Sequence, residues 1–381
     1  MISYGRQDID PSDLEAVRET LRSDFLTQGP KVPEFESLLC NTTQARHGVA
    51  VNSATSALHL ACLALGLTAG DRLWTTPISF VASANCALYC RSKVDFVDID
   101  SATQNMCPVA LEAKLKTAAT LNALPKIVIP VHFAGQACDM ERIHQLSLQY
   151  GFKIIEDASH ALGGTYKNAP IGSCIYSSIT VFSFHAIKMI TTGEGGAAMT
   201  NDPSLWKRME ILRSHGISKD FNDFQSGNFS PWSYEQIELG FNYRMSELGA
   251  ALGISQLKRL PEFVKTRRSL AQLYHEQFVS SDIEVPTPER CDQSVWHLYV
   301  IRVPKSKRLK IFNQLRDKGI GVNVHYIPIY KQPYYQKAGF RADYCVNAEQ
   351  YYARCMTLPL HTQLSKFDVD KIANEVINSA R

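Results

Sequence analysis

No run of about 18 apolar residues occurs in the 381-residue chain, so no segment is built to span a bilayer. The start, Met1-Ile2-Ser3-Tyr4-Gly5-Arg6, lacks a basic cluster followed by an apolar stretch, and no signal peptide is expected. Charge of one sign is also scarce. Forty Lys and Arg against 37 Asp and Glu leave a net charge of +3, with no basic run and no acidic tail, which argues against nucleic acid or a membrane surface as partner. Ten cysteines are scattered through the chain. The closest pair, Cys86 and Cys90, has helical spacing in an apolar segment and reads as reduced core thiols, not as a disulfide frame. The eleven histidines do not cluster at metal-ligand spacing, so no metal is expected, and a G-x-G-x-x-G dinucleotide fingerprint is missing. A cytoplasmic globular protein remains.

The chain is long enough for two lobes. A helix is predicted after Asp10, with Pro11 in its first turn and Leu14, Val17 and Leu21 on one face. A second starts at Asn52-Ser53-Ala54-Thr55, carries Leu58, Ala61, Cys62 and Leu65 on one side and ends at Gly66. Short Val- and Ile-rich runs then alternate with helical stretches. Arg72–Thr76, Val94–Val97, Ile127–Val131, Lys153–Glu156, Ile179–Phe184 and Ala197–Thr200 read as strands, with helices at Ser83–Tyr89 and from Asp139 to near Gly151. This alternation predicts an α/β fold with a mainly parallel sheet covered on both faces. Residues 216–236 form a long polar loop, and a helix follows from about Ser246. Beyond it, a strand at Val295–Val303, a helix at Lys307–Lys318 and a strand at Val322–His325 suggest a smaller α+β lobe. The expected division is a large domain over 1–260 and a small one over 261–381.

Parallel α/β sheets bind ligands at the C-terminal ends of their strands. Asp157 ends one strand and Lys188 follows another, in Ser183-Phe184-His185-Ala186-Ile187-Lys188. A carboxylate and an amine in this relation are what pyridoxal phosphate requires. The acid keeps the pyridine nitrogen protonated, and the amine tethers the cofactor and later moves the substrate proton. Each residue alone carries little, since strand-end aspartates also cap helices and loop lysines are ordinarily solvated. For a phosphate, Ala54-Thr55-Ser56 at a helix start offers amides and hydroxyls, although capping explains the same residues; Ser183 adds another hydroxyl. Phe80 is placed to stack on the ring or simply to pack. Thr191-Thr192-Gly193-Glu194-Gly195-Gly196 is a glycine-rich turn that lets the chain pass close by.

Glu156-Asp157-Ala158-Ser159-His160, the Ser183–Lys188 segment, the glycine-rich turn and Gly240-Phe241-Asn242-Tyr243-Arg244-Met245 together resemble the sugar-nucleotide aminotransferases of the DegT/DnrJ/EryC/StrS type. Thr27-Gln28-Gly29-Pro30 and His325-Tyr326-Ile327-Pro328 extend the likeness over nearly the whole chain. Ser23–Pro30, Val51–His59 and Phe80–Cys90 resemble most the branch that serves pseudaminic acid biosynthesis. The resemblance implies the type I fold of pyridoxal-phosphate enzymes. It makes Lys188 the Schiff-base lysine and Asp157 the pyridinium partner, with Phe80 on the ring and Ala54, Thr55 and Ser183 at the phosphate. His160, where the family often has Gln, falls near the cofactor 3-hydroxyl. Ala186 replaces the usual Pro before the lysine. Asn242 is implied to reach the phosphate bound by a second copy, hence a homodimer with shared sites. Substrate contacts fall on Tyr4, Leu26, Thr27, His185, Tyr243, His325 and Tyr326. The implied reaction moves the amino group of L-glutamate to C4 of a UDP-linked 4-keto-6-deoxy sugar. Alternatives are a transaminase acting at C4 or C3 of a GDP- or dTDP-linked keto sugar, a dehydratase on the same scaffold, which Lys188 disfavours, and a non-catalytic nucleotide-sugar sensor.

Overall fold

The computed structural model describes residues 1–227, 230–286 and 293–380; of the ten cysteines, Cys291 lies outside these. Its centre is a seven-stranded sheet. The strands are β1 (His47–Val51), β2 (Arg72–Thr75), β3 (Lys93–Phe96), β4 (Ile127–Ile129), β5 (Lys153–Asp157), β8 (Ile179–Ser183) and β9 (Gly196–Thr200). A two-residue pair, β6 (Thr165–Tyr166) with β7 (Ala169–Pro170), stands apart. The order across the sheet is β1-β9-β8-β5-β4-β2-β3. Strands β3, β2, β4, β5 and β8 pair in parallel. The Ala197–Thr200 strand departs from this pattern, because β9 runs antiparallel to both β1 and β8. Its direction follows from the connection: residues 184–195 turn the chain straight back instead of crossing over through a helix.

Neighbouring residues of one strand enter opposite cores. Ile154 packs with Phe35, Trp74 and Phe182 on one face, whereas Ile155 packs with Leu58, Leu60 and Val181 on the other. That is why these strands are apolar throughout. Helices α1 (Pro11–Leu21), α2 (Lys31–Thr43), α3 (Ala54–Ala64), α4 (Ala82–Tyr89), α5 (Pro108–Thr120), α6 (Met140–Tyr150), α7 (Pro203–Arg213) and α8 (Glu247–Lys258) accompany the sheet. The Leu14 and Leu21 side of α1 does not enter a core and stays exposed. Asp13 and Thr20 are the residues α1 buries, Asp13 accepting hydrogen bonds from Arg259 and Gln256. Polar anchoring thus orients this helix. Within the long loop, β10 (Ile217–Ser218) pairs with β11 (Glu235–Gln236).

Helix α9 (Leu260–Phe278) leads to another core around Tyr274, Tyr299, Ile311 and Val376. Its antiparallel strands are β12 (Tyr299–Arg302) and β13 (Cys355–Leu358), and its other helices are α10 (Arg308–Asp317) and α13 (Lys366–Ala380), while α11 (Pro333–Lys337) and α12 (Val346–Arg354) pack in a further core with Phe96, Phe133 and Tyr330. The strand expected at Val322–His325 is not formed. Asn323 alone bridges Thr357, and the neighbouring Val324 N–H bonds to the Asn323 side-chain oxygen. The N-terminus joins this part, Ile2 pairing with Gly319 and Gly321.

Candidate active site

A cavity of about 720 Å³ opens where the C-terminal ends of β5 and β8 face the 323–327 segment. Asp157, 4% exposed, supplies its floor. The Asp157 backbone is held by the Pro130 carbonyl and the His132 N–H, and its carboxylate accepts the hydroxyls of Ser83 and Ser159, both at 2.6 Å. Beneath it, Glu156 accepts a hydrogen bond from buried His132 at 2.7 Å. Since His132 Nδ1 accepts the Cys138 amide N–H, the imidazole carries its proton on Nε2 and the pair is a neutral histidine on a carboxylate.

Lys188 comes from the turn joining β8 to β9, where its N–H bonds to the His185 carbonyl. Burial pushes its amine down to about 8, against the Asp157 carboxylate, which favours the charged form. The glycine-rich turn brings β9 against the start of α3. A Cβ on Gly196 would meet the Ala54 nitrogen at 2.4 Å, so only glycine allows this approach. At that helix start the Ser53 side chain caps the Ser56 N–H at 3.1 Å. The Ala54 and Thr55 amides have no internal partner among the described residues, and both residues line the cavity with Ser183. A helix N-terminus with unspent amides attracts an anion.

Histidines form the opposite wall. The His160 and His297 rings lie 4.4 Å apart, and His160 Nε2 is 3.4 Å from the Tyr326 hydroxyl. His160 Nδ1 accepts the Ala134 N–H, so its proton sits on Nε2 and points toward the cavity as a donor. Burial, with Lys188 and His325 nearby, holds His160 well below the usual imidazole range. His297 is lowered in the same way, and burial beside Lys188 takes His325 to about 4. All three are therefore neutral near pH 7. Phe80, 61% exposed, overhangs the cavity, and Tyr4 and His185 also reach it, Tyr4 packing on His325 at 5.4 Å.

Four expected residues do not reach this cavity in a single chain. Leu26 and Thr27 are exposed on a separate loop, and Asn242 is exposed beyond α3. Tyr243 turns inward to the His59 ring, its hydroxyl 3.1 Å from Nδ1. Ser56 gives its hydroxyl to Asn52 and serves the cap. Conversely, Ser83, Ser159 and His297 take part without having been singled out from the sequence. Ser159 and Ser83 lie inside quoted stretches, whereas His297 is brought in by long-range packing and no local pattern marks it.

The sequence profile of the DegT/DnrJ/EryC1/StrS aminotransferase family matches residues 7–377. The chain belongs to that family. It is 39% identical over 382 residues to the spore coat polysaccharide biosynthesis protein SpsC of Bacillus subtilis, covering 98% of this chain and 96% of the relative. It is 37% identical over 375 residues to the UDP-4-amino-4,6-dideoxy-N-acetyl-β-L-altrosamine transaminase of Campylobacter jejuni, covering 97% and 94%. Among solved structures, Helicobacter pylori PseC, an aminotransferase involved in the biosynthesis of pseudoaminic acid, superposes with a TM-score of 0.92 at 34% identity, covering 100% of this chain and 99% of that one. The family and the fold agree, and this member is a sugar aminotransferase with the type I architecture of pyridoxal-phosphate enzymes.

Proposed function

We propose that this sugar aminotransferase moves the amino group of L-glutamate to C4 of a UDP-linked 4-keto-6-deoxy-N-acetylhexosamine. The product is UDP-4-amino-4,6-dideoxy-N-acetyl-β-L-altrosamine, and the pathway is pseudaminic acid biosynthesis in the cytoplasm. One observation carries the chemistry: Asp157, Lys188 and the open start of α3 converge on one cavity. The C. jejuni and H. pylori relatives support the choice of sugar.

Pyridoxal 5'-phosphate is the cofactor. The donor set fits it: a buried carboxylate, an amine of lowered basicity, and unspent helix amides beside the Ser183 hydroxyl. When bound, it supplies an electron sink for the charge left when a proton leaves the amino-bearing carbon. Asp157 would keep a proton on the ring nitrogen. The Ala54 and Thr55 amides and the Ser183 hydroxyl would hold the phosphate, Phe80 would lie against the ring, and His160 would donate from Nε2 to the ring hydroxyl. The Lys188 amine, near neutrality in basicity, would carry the proton from the donor carbon to the cofactor C4′ in one half of the cycle and from C4′ to the sugar carbon in the other.

Among the described residues, those lining the cavity include no arginine and one lysine, Lys188. Two donor carboxylates and a sugar diphosphate need more cationic partners than that. Leu26, Thr27 and Asn242 carry no charge and do not relieve this shortage, but their exposure away from the cavity of their own chain supports a homodimer in which they serve the partner's cavity, with Tyr243 anchoring Asn242. A second reading, another keto sugar on the same chemistry, is favoured by the similarity to SpsC. Turnover with L-glutamate against UDP-, GDP- and dTDP-linked 4-keto sugars decides between them. The UDP-linked 6-deoxy-N-acetyl sugar should be converted at least about tenfold faster by kcat/KM, a difference of ~1.4 kcal/mol. Equal rates with a GDP or dTDP sugar would refute the assignment.

A further inference from the structure

Asp157 does not stand alone at the cavity floor. Its Oδ2 receives the Ser83 hydroxyl at 2.6 Å, and Ser83 Oγ lies 2.8 Å from Ser79 Oγ. All three residues are buried, Ser83 completely. An ionised carboxylate only accepts, so the single Ser83 proton points to Asp157, and Ser79 must be the donor to Ser83. The chain of hydroxyls therefore has one direction, from Ser79 through Ser83 to Asp157. The Phe80 carbonyl is an alternative acceptor for Ser83, but at 3.4 Å it is far the longer contact. On the other side, Oδ1 takes the Ser159 hydroxyl at 2.6 Å and the Ser159 N–H at 3.1 Å. Both carboxylate oxygens are thus pinned, and the group cannot rotate without breaking a charge-assisted bond.

The loop leading into α4 carries Phe80 over the cavity, while Ser79 from that loop and Ser83 from the first turn of α4 reach its floor. We infer that Ser83, backed by Ser79, is a positioning residue. It aims the Asp157 carboxylate at the cofactor ring nitrogen and registers that carboxylate with the aromatic ring of Phe80. The inference rests on the reading of Asp157 as the partner of that nitrogen. Removing the Ser83 hydroxyl would let the carboxylate swing and would leave the Ser79 proton without its acceptor.

The test uses the purified holoenzyme and reads cofactor retention and spectrum as well as turnover. Ser83→Ala should raise the dissociation constant for pyridoxal phosphate about tenfold, the scale of losing a hydrogen bond to a charged group. It should also move the pH midpoint of the visible band of the bound cofactor, lower kcat more than it raises KM, and leave the melting temperature of the cofactor-free protein within about 2 °C. Ser79→Ala, which keeps the contact to Asp157, should shift the same quantities in the same direction by less; a larger effect than that of Ser83→Ala would overturn the order of the chain. The decisive comparison adds Ser83→Ala to Asp157→Asn. There the serine substitution should change the dissociation constant by less than about twofold, because its acceptor's charge is already gone. Equal effects in both backgrounds, or wild-type retention and spectrum in Ser83→Ala, would overturn the inference while leaving the role of Asp157 intact. Wild-type retention and spectrum in Asp157→Asn would instead remove Asp157 from the ring nitrogen, and the inference with it.

Discussion

Burial takes the Lys188 amine down to about 8, so at pH 8 a large share of it is neutral while surface lysines are almost wholly charged. Only the neutral amine is nucleophilic. Acylation of Lys188 in the cofactor-free protein, followed by peptide mass spectrometry, should therefore rise with pH through about 8. A rise delayed to pH 10 would mean that the amine is not perturbed. Lys188→Ala should abolish amino transfer and leave the melting curve intact, since the amine packs in no core; turnover near the wild-type rate would refute its role. The histidine wall makes a separate claim about acid. His160, His297 and His325 all have imidazoles lowered on folding, so the unfolded chain binds more protons in the window between. Their contribution to stability is present above the ordinary value of 6.5 and is lost as pH falls toward the His325 value of about 4. Urea unfolding at pH 7.5 and 5 should show this loss, and His325→Gln should show a smaller one. Identical slopes for variant and wild type would exclude His325 as a contributor.

At the level of elements, one carboxylate joins two helices and a loop. Glu247, fully buried in the first turn of α8, accepts the Lys31 and Val32 N–H groups at the start of α2, and its own N–H bonds to the Leu26 carbonyl. A buried charge at a helix N-terminus is favourable because it meets unspent amides and the positive end of the helix dipole. Glu247→Ala leaves those amides unpaired and should cost about 2 kcal/mol of stability by urea denaturation. A cost under about 0.5 kcal/mol would mean that water replaces the carboxylate there. Elements also explain where reading the residues in order fell short. The apolar side of α1 suggested burial, yet Leu14 is 65% exposed, because the Asp13–Arg259 contact and Thr20 decide which side faces inward. Val322–His325 has strand composition but meets the free edge of β13 only at Asn323, so a single bridge forms and no ladder.

On the scale of the whole molecule, the exposure of Asn242 outside the cavity of its own chain is the observation that a second copy would explain. Mixing Lys188→Ala with a disruptive Asn242 variant tests it. If sites are shared, each mixed dimer holds one intact site beside one doubly damaged site, and activity returns to about half per mixed dimer by symmetry. If each chain builds its own site, every site carries one defect and no activity returns. Subunit exchange confirmed independently, with no recovery, would confine the site to a single chain.

The sequence by itself determined six strands of the central sheet, the positions of Asp157 at the end of β5 and Lys188 after β8, the capped start of α3 and the glycine-rich turn, but not β1 or β13. What it determined is marked by residues close together in the chain: short Val- and Ile-rich runs, Ser53 capping its own helix, and the glycines of 193–196; that Gly196 must clear Ala54 is decided by the fold. Tertiary structure alone decided the antiparallel return of β9, the outward side of α1, the Ser79–Ser83 hold on Asp157 and the arrival of His297 beside His160. These contacts join residues far apart in the chain. Their energies come from matched hydrogen bonds and excluded water in a closed site, and neither can be read from the periodicity of one segment.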